Sequence, residues 1–92
     1  MTKLSAEGDD TITHIEITLE LDTLLRKTAT TKLAANRTQH EIPLSCTLDE
    51  LISSLGLRGK ISFAVVNGDR HGFEYMLQQG DEVMLFPYLI GG

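Results

Sequence analysis

The last seven residues, FPYLIGG (86–92), carry a strongly apolar strand into two glycines and leave a carboxylate with no side chain beside it. A bare carboxylate in that position is a candidate reactive group, and Gly91 and Gly92 are its candidate carriers. The other chemically capable residues are scattered. His14, His40 and His71 have no partner at zinc-ligand spacing and read as ordinary polar positions, so no metal is expected. Cys46 is the single cysteine and cannot form an internal disulfide, which agrees with a reducing compartment. It precedes Thr47, a candidate helix cap where a thiolate could be stabilised. No basic residue adjoins it in sequence, however, and it reads as a small packed thiol. Asp9–Asp10, Asp49–Glu50 and Asp81–Glu82 lack the spacing of paired acid–base groups and read as solvated faces, caps or turn formers. Lys27, Lys32 and Lys60 read as solubilising charges.

The elements that must position Gly92 follow from periodicity. ITHIEITLEL alternates Ile15, Ile17, Leu19 and Leu21 with polar residues and predicts a strand with one face buried. DTLLRK predicts a short helix with Asp22 as its cap, followed by a mobile Thr-rich loop. TQHEIPL predicts a short edge strand, because Pro43 has no amide hydrogen to give a second neighbour. In TLDELISSLGL, Thr47 and Glu50 form a capping box, Leu48, Leu51, Ile52 and Leu55 share a face, Gly56 ends the helix and Leu57 folds back on it. One long helix is thus available to cover the sheet. ISFAVV (61–66) is too continuously apolar for a strand with one wet face and predicts a strand well inside the sheet, covered on both faces; Asn67–Gly68 follows as a turn. HGFEYML predicts a weaker strand through Phe73, Tyr75 and Leu77, QQGD a turn with Gly80 at positive φ, and EVMLF the last strand, stopped by Pro87. The result is an α+β domain, with 1–11 as a flexible lead, 12–88 as the domain and 89–92 as the tail.

Composition narrows the class. At 92 residues the chain has room for a single core. A net charge of -5 argues against tracking nucleic-acid phosphates, so no nucleic acid is expected as a partner. No run approaches the roughly 20 apolar residues of a bilayer span, and the lead MTKLSAEGDD lacks the apolar stretch of a signal peptide, so the expected location is the cytoplasm, away from membranes.

VVNG, then GDEVMLF, then a proline shortly before Gly-Gly, all preceded by a capped helix, resembles the ubiquitin-like β-grasp sulfur carriers (the MoaD/ThiS family). Among these, the Phe86–Pro87 pair is closest to the small subunit of molybdopterin synthase. Tyr88 stands where that family usually has a second proline, and LDTLLRK follows its pattern only loosely. The resemblance implies a mixed sheet of four to five strands covered by one main helix. It also implies a covalent carrier without catalytic side chains. An E1-like activating enzyme uses ATP to adenylate the carboxylate of Gly92, and a sulfur donor then displaces AMP to leave a thiocarboxylate. No cofactor is bound by the carrier itself.

A tail without β-carbons suits that chemistry, because it can be threaded into a narrow active site where side chains would clash. Gly91 serves the threading. Phe86, Pro87, Tyr88, Leu89 and Ile90 are expected to dock on partners: the activating enzyme and the large subunit of molybdopterin synthase or another acceptor. Alternatives are a carrier for thiamine or another sulfur metabolite, a modifier joined through Gly92 to lysine, and a β-grasp binding module with an incidental tail.

Overall fold

The computed structural model describes residues 12–88. The expected lead (1–11) and tail (89–92) lie outside the described residues. Seven elements follow in order: β1 (His14–Glu20), α1 (Thr23–Thr28), β2 (Arg37–Pro43), α2 (Leu48–Ser54), β3 (Ile61–Val66), β4 (Asp69–His71) and β5 (Glu82–Pro87). The strands form one mixed sheet in the order β2-β1-β5-β3-β4. β1 lies parallel to β5, and the other pairs are antiparallel. This is the expected β-grasp arrangement, with β5, the last strand in sequence, at its centre.

β1 turns Ile15, Ile17 and Leu19 to the core and its polar residues to the other face, as strand alternation requires. β2 sits at the sheet edge as expected, yet is as long as β1 and pairs with it from Pro43 to Arg37. The length is a correction, and its reason is parity. Leu21 N–H donates to the Asn36 carbonyl at 2.8 Å, and Leu44 N–H to the Thr13 carbonyl at 3.0 Å. Hydrogen-bonded pairs alternate along an antiparallel ladder, so the even residues of β2 bond β1 and the odd ones point outward. The N–H that Pro43 lacks is therefore on the outer edge, where its absence costs β1 nothing.

α1 begins at Asp22, whose carboxylate accepts from Leu25 N–H at 2.7 Å, and buries Leu25 while leaving Leu24 exposed. α2 has the expected capping box between Thr47 and Glu50. At its other end Gly56 takes φ +74°, and its N–H reaches the Ser53 carbonyl while Leu57 N–H reaches that of Ile52, which returns Leu57 to the core. α2 is only two turns long, not the long helix expected. It nevertheless supplies Leu48, Leu51 and Ile52 to a cluster shared with Ile17, Leu19, Ile61, Val83 and Leu85.

Two further expectations fail. β3 is not covered on both faces: Phe63 and Val65 are half-buried on the side away from the core, so the apolar run reflects an apolar outer face. Asn67 (φ 53°) and Gly68 (φ 88°) turn β3 into β4, which is only Asp69–His71. Beyond His71, HGFEYML is not a strand. Its backbone instead serves the start of α2, where Leu48 N–H donates to Tyr75 and Asp49 N–H to Phe73, while Leu77 N–H donates to Cys46. Gly80 has the expected positive φ, 85°.

Candidate functional site

β5 holds the root of the tail. It is paired on both sides, with Val83 and Leu85 buried among the core residues. A register shift between Ile61 and Phe63 adds one residue to β3 opposite the end of β5, so that Ile61 faces Pro87 and Phe63 faces Phe86. The two phenyl rings stack with centroids 4.6 Å apart and planes 8° apart, and the Arg70 guanidinium lies 4.5 Å from the Phe63 centroid. Phe86 is thus anchored on the outer face of the sheet.

The chain then turns to different surroundings. Pro87 and Tyr88, together with Leu24, Leu25, Thr28 and Lys60, line an open cleft of about 530 Å³. Leu24 and Tyr88 are 66% and 58% exposed, so the cleft offers apolar surface that the fold does not bury. The expected docking run is therefore divided: Phe86 is packed, whereas Pro87 and Tyr88 line the cleft. Leu89, Ile90, Gly91 and Gly92 lie outside the described residues.

Leu24, Thr28 and Lys60 were not foreseen at this site. The sequence carried one faint signal, the Leu24–Leu25 pair in a two-turn helix, of which only one member can face the core. Lys60, read as a solubilising charge, is the one charged side chain lining the cleft among the described residues.

The remaining candidates fall elsewhere. Cys46 is buried; its thiol donates to the Thr47 carbonyl at 3.4 Å, and burial followed by the charge of Glu50 raises its pKa, the opposite of thiolate activation. His40 is half-buried and its pKa is lowered by burial. The His71 ring lies against that of Tyr75, centroids 4.1 Å apart and planes tilted by 33°, and His14 is exposed. Among the described residues no group of three or more side chains could hold a metal, and no helix is long and apolar enough to cross a membrane. Asp81, read as a turn former, is the one buried charged or polar side chain among the described residues: its carboxylate accepts from Asn67 Nδ2 (2.8 Å), Gln78 N–H (2.8 Å) and Tyr75 OH (3.3 Å).

A mixed five-stranded sheet grasping a short helix, with the C-terminal strand at its centre, defines a ubiquitin-like β-grasp protein. The chain belongs to the Mut7-C ubiquitin family, whose model matches residues 10–89. No curated protein sequence matches it. In structure it is similar to the Haloferax volcanii HVO 2177 protein, at 21% identity and TM-score 0.69 over 94% of each chain. It is also similar to a putative molybdopterin converting factor, subunit 1, from Pyrococcus furiosus (17% identity, TM-score 0.62, 82% of this chain and 99% of that one). A third match is H. volcanii small archaeal modifier protein 1, at 15% identity and TM-score 0.59 over 82% and 99% of the two chains. The resemblance read from the C-terminal motif is thus borne out in the fold shared with these proteins.

Proposed function

We propose that this protein is a sulfur carrier whose working group is the carboxylate of Gly92. A carboxylate oxygen attacks the α-phosphorus of ATP in an activating enzyme, pyrophosphate leaves, and an acyl-adenylate results. A sulfide equivalent from a donor then adds to the acyl carbon and expels AMP, leaving a thiocarboxylate. In this reading the chain acts in the cytoplasm as the small subunit of molybdopterin synthase. The large subunit contributes the catalytic side chains, and the carrier binds neither cofactor nor metal.

The observation that carries the reading is the placement of β5. The strand leading to the tail is the central one of the sheet, and its exit at Pro87–Tyr88 opens beside an apolar cleft. A rigid root limits the chain entropy lost when the tail docks, and the cleft gives a partner a surface to grip. The fold shared with a putative molybdopterin converting factor subunit supports the same choice. A modifier joined to lysine through Gly92 is the second reading, supported by the likeness to small archaeal modifier protein 1.

Intact-mass spectrometry tests both. After incubation with an E1-like activating enzyme, ATP and a sulfur donor, the chain should exchange one oxygen for sulfur at Gly92, and a chain lacking Gly91–Gly92 should not. A branched lysine peptide from cells would favour the modifier, and an unchanged mass under every condition would reject the carrier. Retention of a molybdopterin synthase large subunit by the intact tail, and its loss on deletion, checks the pathway.

A further inference from the structure

We propose that β2 is the interface of a symmetric dimer, in which two copies of this chain pair their β2 edges antiparallel about a two-fold axis at Gln39. The proposal does not rest on the sulfur-carrier reading. β2 is the edge of the sheet among the described residues, and the parity set out above leaves the backbone groups of Arg37, Gln39, Glu41 and Pro43 facing away from β1. Arg37, Gln39 and Glu41 carry both N–H and C=O; Pro43 carries only C=O. All four residues are exposed.

An edge of outward N–H and C=O groups is a template for another strand, and charged side chains on it ordinarily discourage pairing. Here the charges fit a copy of themselves. With the axis at Gln39, Arg37 of each copy faces Glu41 of the other and Gln39 faces Gln39. These pairings join the residues whose backbone groups point outward, so each can exchange two hydrogen bonds across the seam. A shift of the axis by two residues toward Arg37 or Glu41 would bring like charges face to face or leave the opposite charges out of register.

The side chains reinforce this choice. Arg37, Glu41, Glu16 and Glu20 share the outer face. Within one copy Glu41 lies opposite Glu16, a like-charge pairing that is unfavourable in an antiparallel ladder. Arg37 already bonds Glu20 at 2.9 Å and lies 3.8 Å from Glu82. In the dimer one cross-sheet row reads Glu16, Glu41, then Arg37 and Glu20 of the other copy, so a cation is set among the carboxylates. Because this is a self-complementary surface, closure at two copies follows from its symmetry. A single-strand seam is small, so the dimer is a concentration-dependent one. The residues lining the cleft beside Tyr88 take no part in it.

Sedimentation velocity over a concentration series of the full chain, together with amide exchange by NMR, tests the proposal. The wild-type dimer fraction should rise with concentration and fall with added salt. Protection should grow at the amides of Arg37, Gln39 and Glu41 and stay constant at Thr38, His40 and Ile42, which already bond β1. Glu41→Arg and Arg37→Glu should each weaken association by about tenfold or more, and an equimolar mixture of the two should restore it, because every facing pair is then opposite in sign. Glu41→Arg also removes the repulsion with Glu16, so it keeps the test valid if Arg37→Glu compromises folding. A chain that stays monomeric throughout, protection gained equally at odd and even residues, or dimers indifferent to Glu41→Arg would each overturn the assignment.

Discussion

Asp81 is where a single residue decides most. The residue is 5% exposed, and its carboxylate ties the turn at Gln78 to the turn at Asn67 and to Tyr75. Removing it strands a part-buried N–H and two side-chain donors, and unsatisfied buried groups cost about 1–3 kcal/mol each at most. Asp81→Ala should therefore lower the urea midpoint by an amount equivalent to about 2 kcal/mol with little change in slope. Tyr75 makes the same contact pH-dependent. Burial first, then the charge and hydrogen bond of Asp81, raise its pKa above the ordinary tyrosine value. A raised folded pKa means that the neutral phenol is the form the fold prefers. Its contribution is complete below the unfolded pKa of about 10 and is lost as pH climbs through the raised value. Stability should thus decline as pH rises from about 10 through that raised value in the wild type and less so in Tyr75→Phe; identical slopes for the two across that window would refute the coupling. Cys46 follows the same direction, since burial and Glu50 both disfavour its thiolate. Native Cys46 should react with an alkylating reagent far more slowly than the same chain in denaturant, as timed by mass spectrometry.

At the scale of elements, α2 shows what a sequence can announce. Its capping box and glycine stop are local chemistry, written within a few residues, and both occur where the residues place them. Thr47→Ala should cost about 1 kcal/mol, measured by thermal or urea unfolding. Gly56→Ala should cost more, because φ is +74° there and the added Cβ would come within 2.5 Å of the Thr30 side chain. The strand readings show where local evidence ends. Phe73, Tyr75 and Leu77 alternate as a strand would, yet their backbone partners are the first amides of α2 and the carbonyl of Cys46, elements distant in sequence. Continuous hydrophobicity in β3 was ambiguous in the same way: it reads as burial on both faces, whereas Phe63 and Val65 form half-exposed surface beside Phe86 and Met84. Pro43 correctly marked an edge, but its consequence for length depended on which side of β2 its missing donor faced, and that is set by the register with β1.

The whole molecule places its last strand at the centre of the sheet, so the segment nearest the tail is also among the most firmly held. The motif itself was legible because it is contiguous. The cleft beside it was not, because Leu24 and Thr28 come from α1, and Lys60 from the approach to β3, and only the tertiary fold brings them to Tyr88. That arrangement constrains any enzyme acting on Gly92. Four residues separate Tyr88 from the chain's final carboxylate, and an extended chain spans at most about 3.6 Å per residue, a reach of roughly 14 Å. On the sulfur-carrier reading, an active site that takes Gly92 comes within that distance of Tyr88, and the cleft is the surface proposed to meet its rim. Leu24 is the side chain to change, since it is 66% exposed and its loss leaves the core intact. Leu24→Asp should leave the melting temperature within about 2 °C of the wild type, as expected of a surface change, while raising KM for adenylation by about tenfold or more. Because Leu24 in this reading grips the partner and takes no part in the chemical step, kcat should change little. Deleting Gly91–Gly92 should do the reverse, abolishing turnover while thermal stability is preserved. Pyrophosphate-exchange kinetics on the two variants distinguish gripping the body from reacting at the tail; a Leu24→Asp chain adenylated with wild-type KM would leave the cleft with no part in docking.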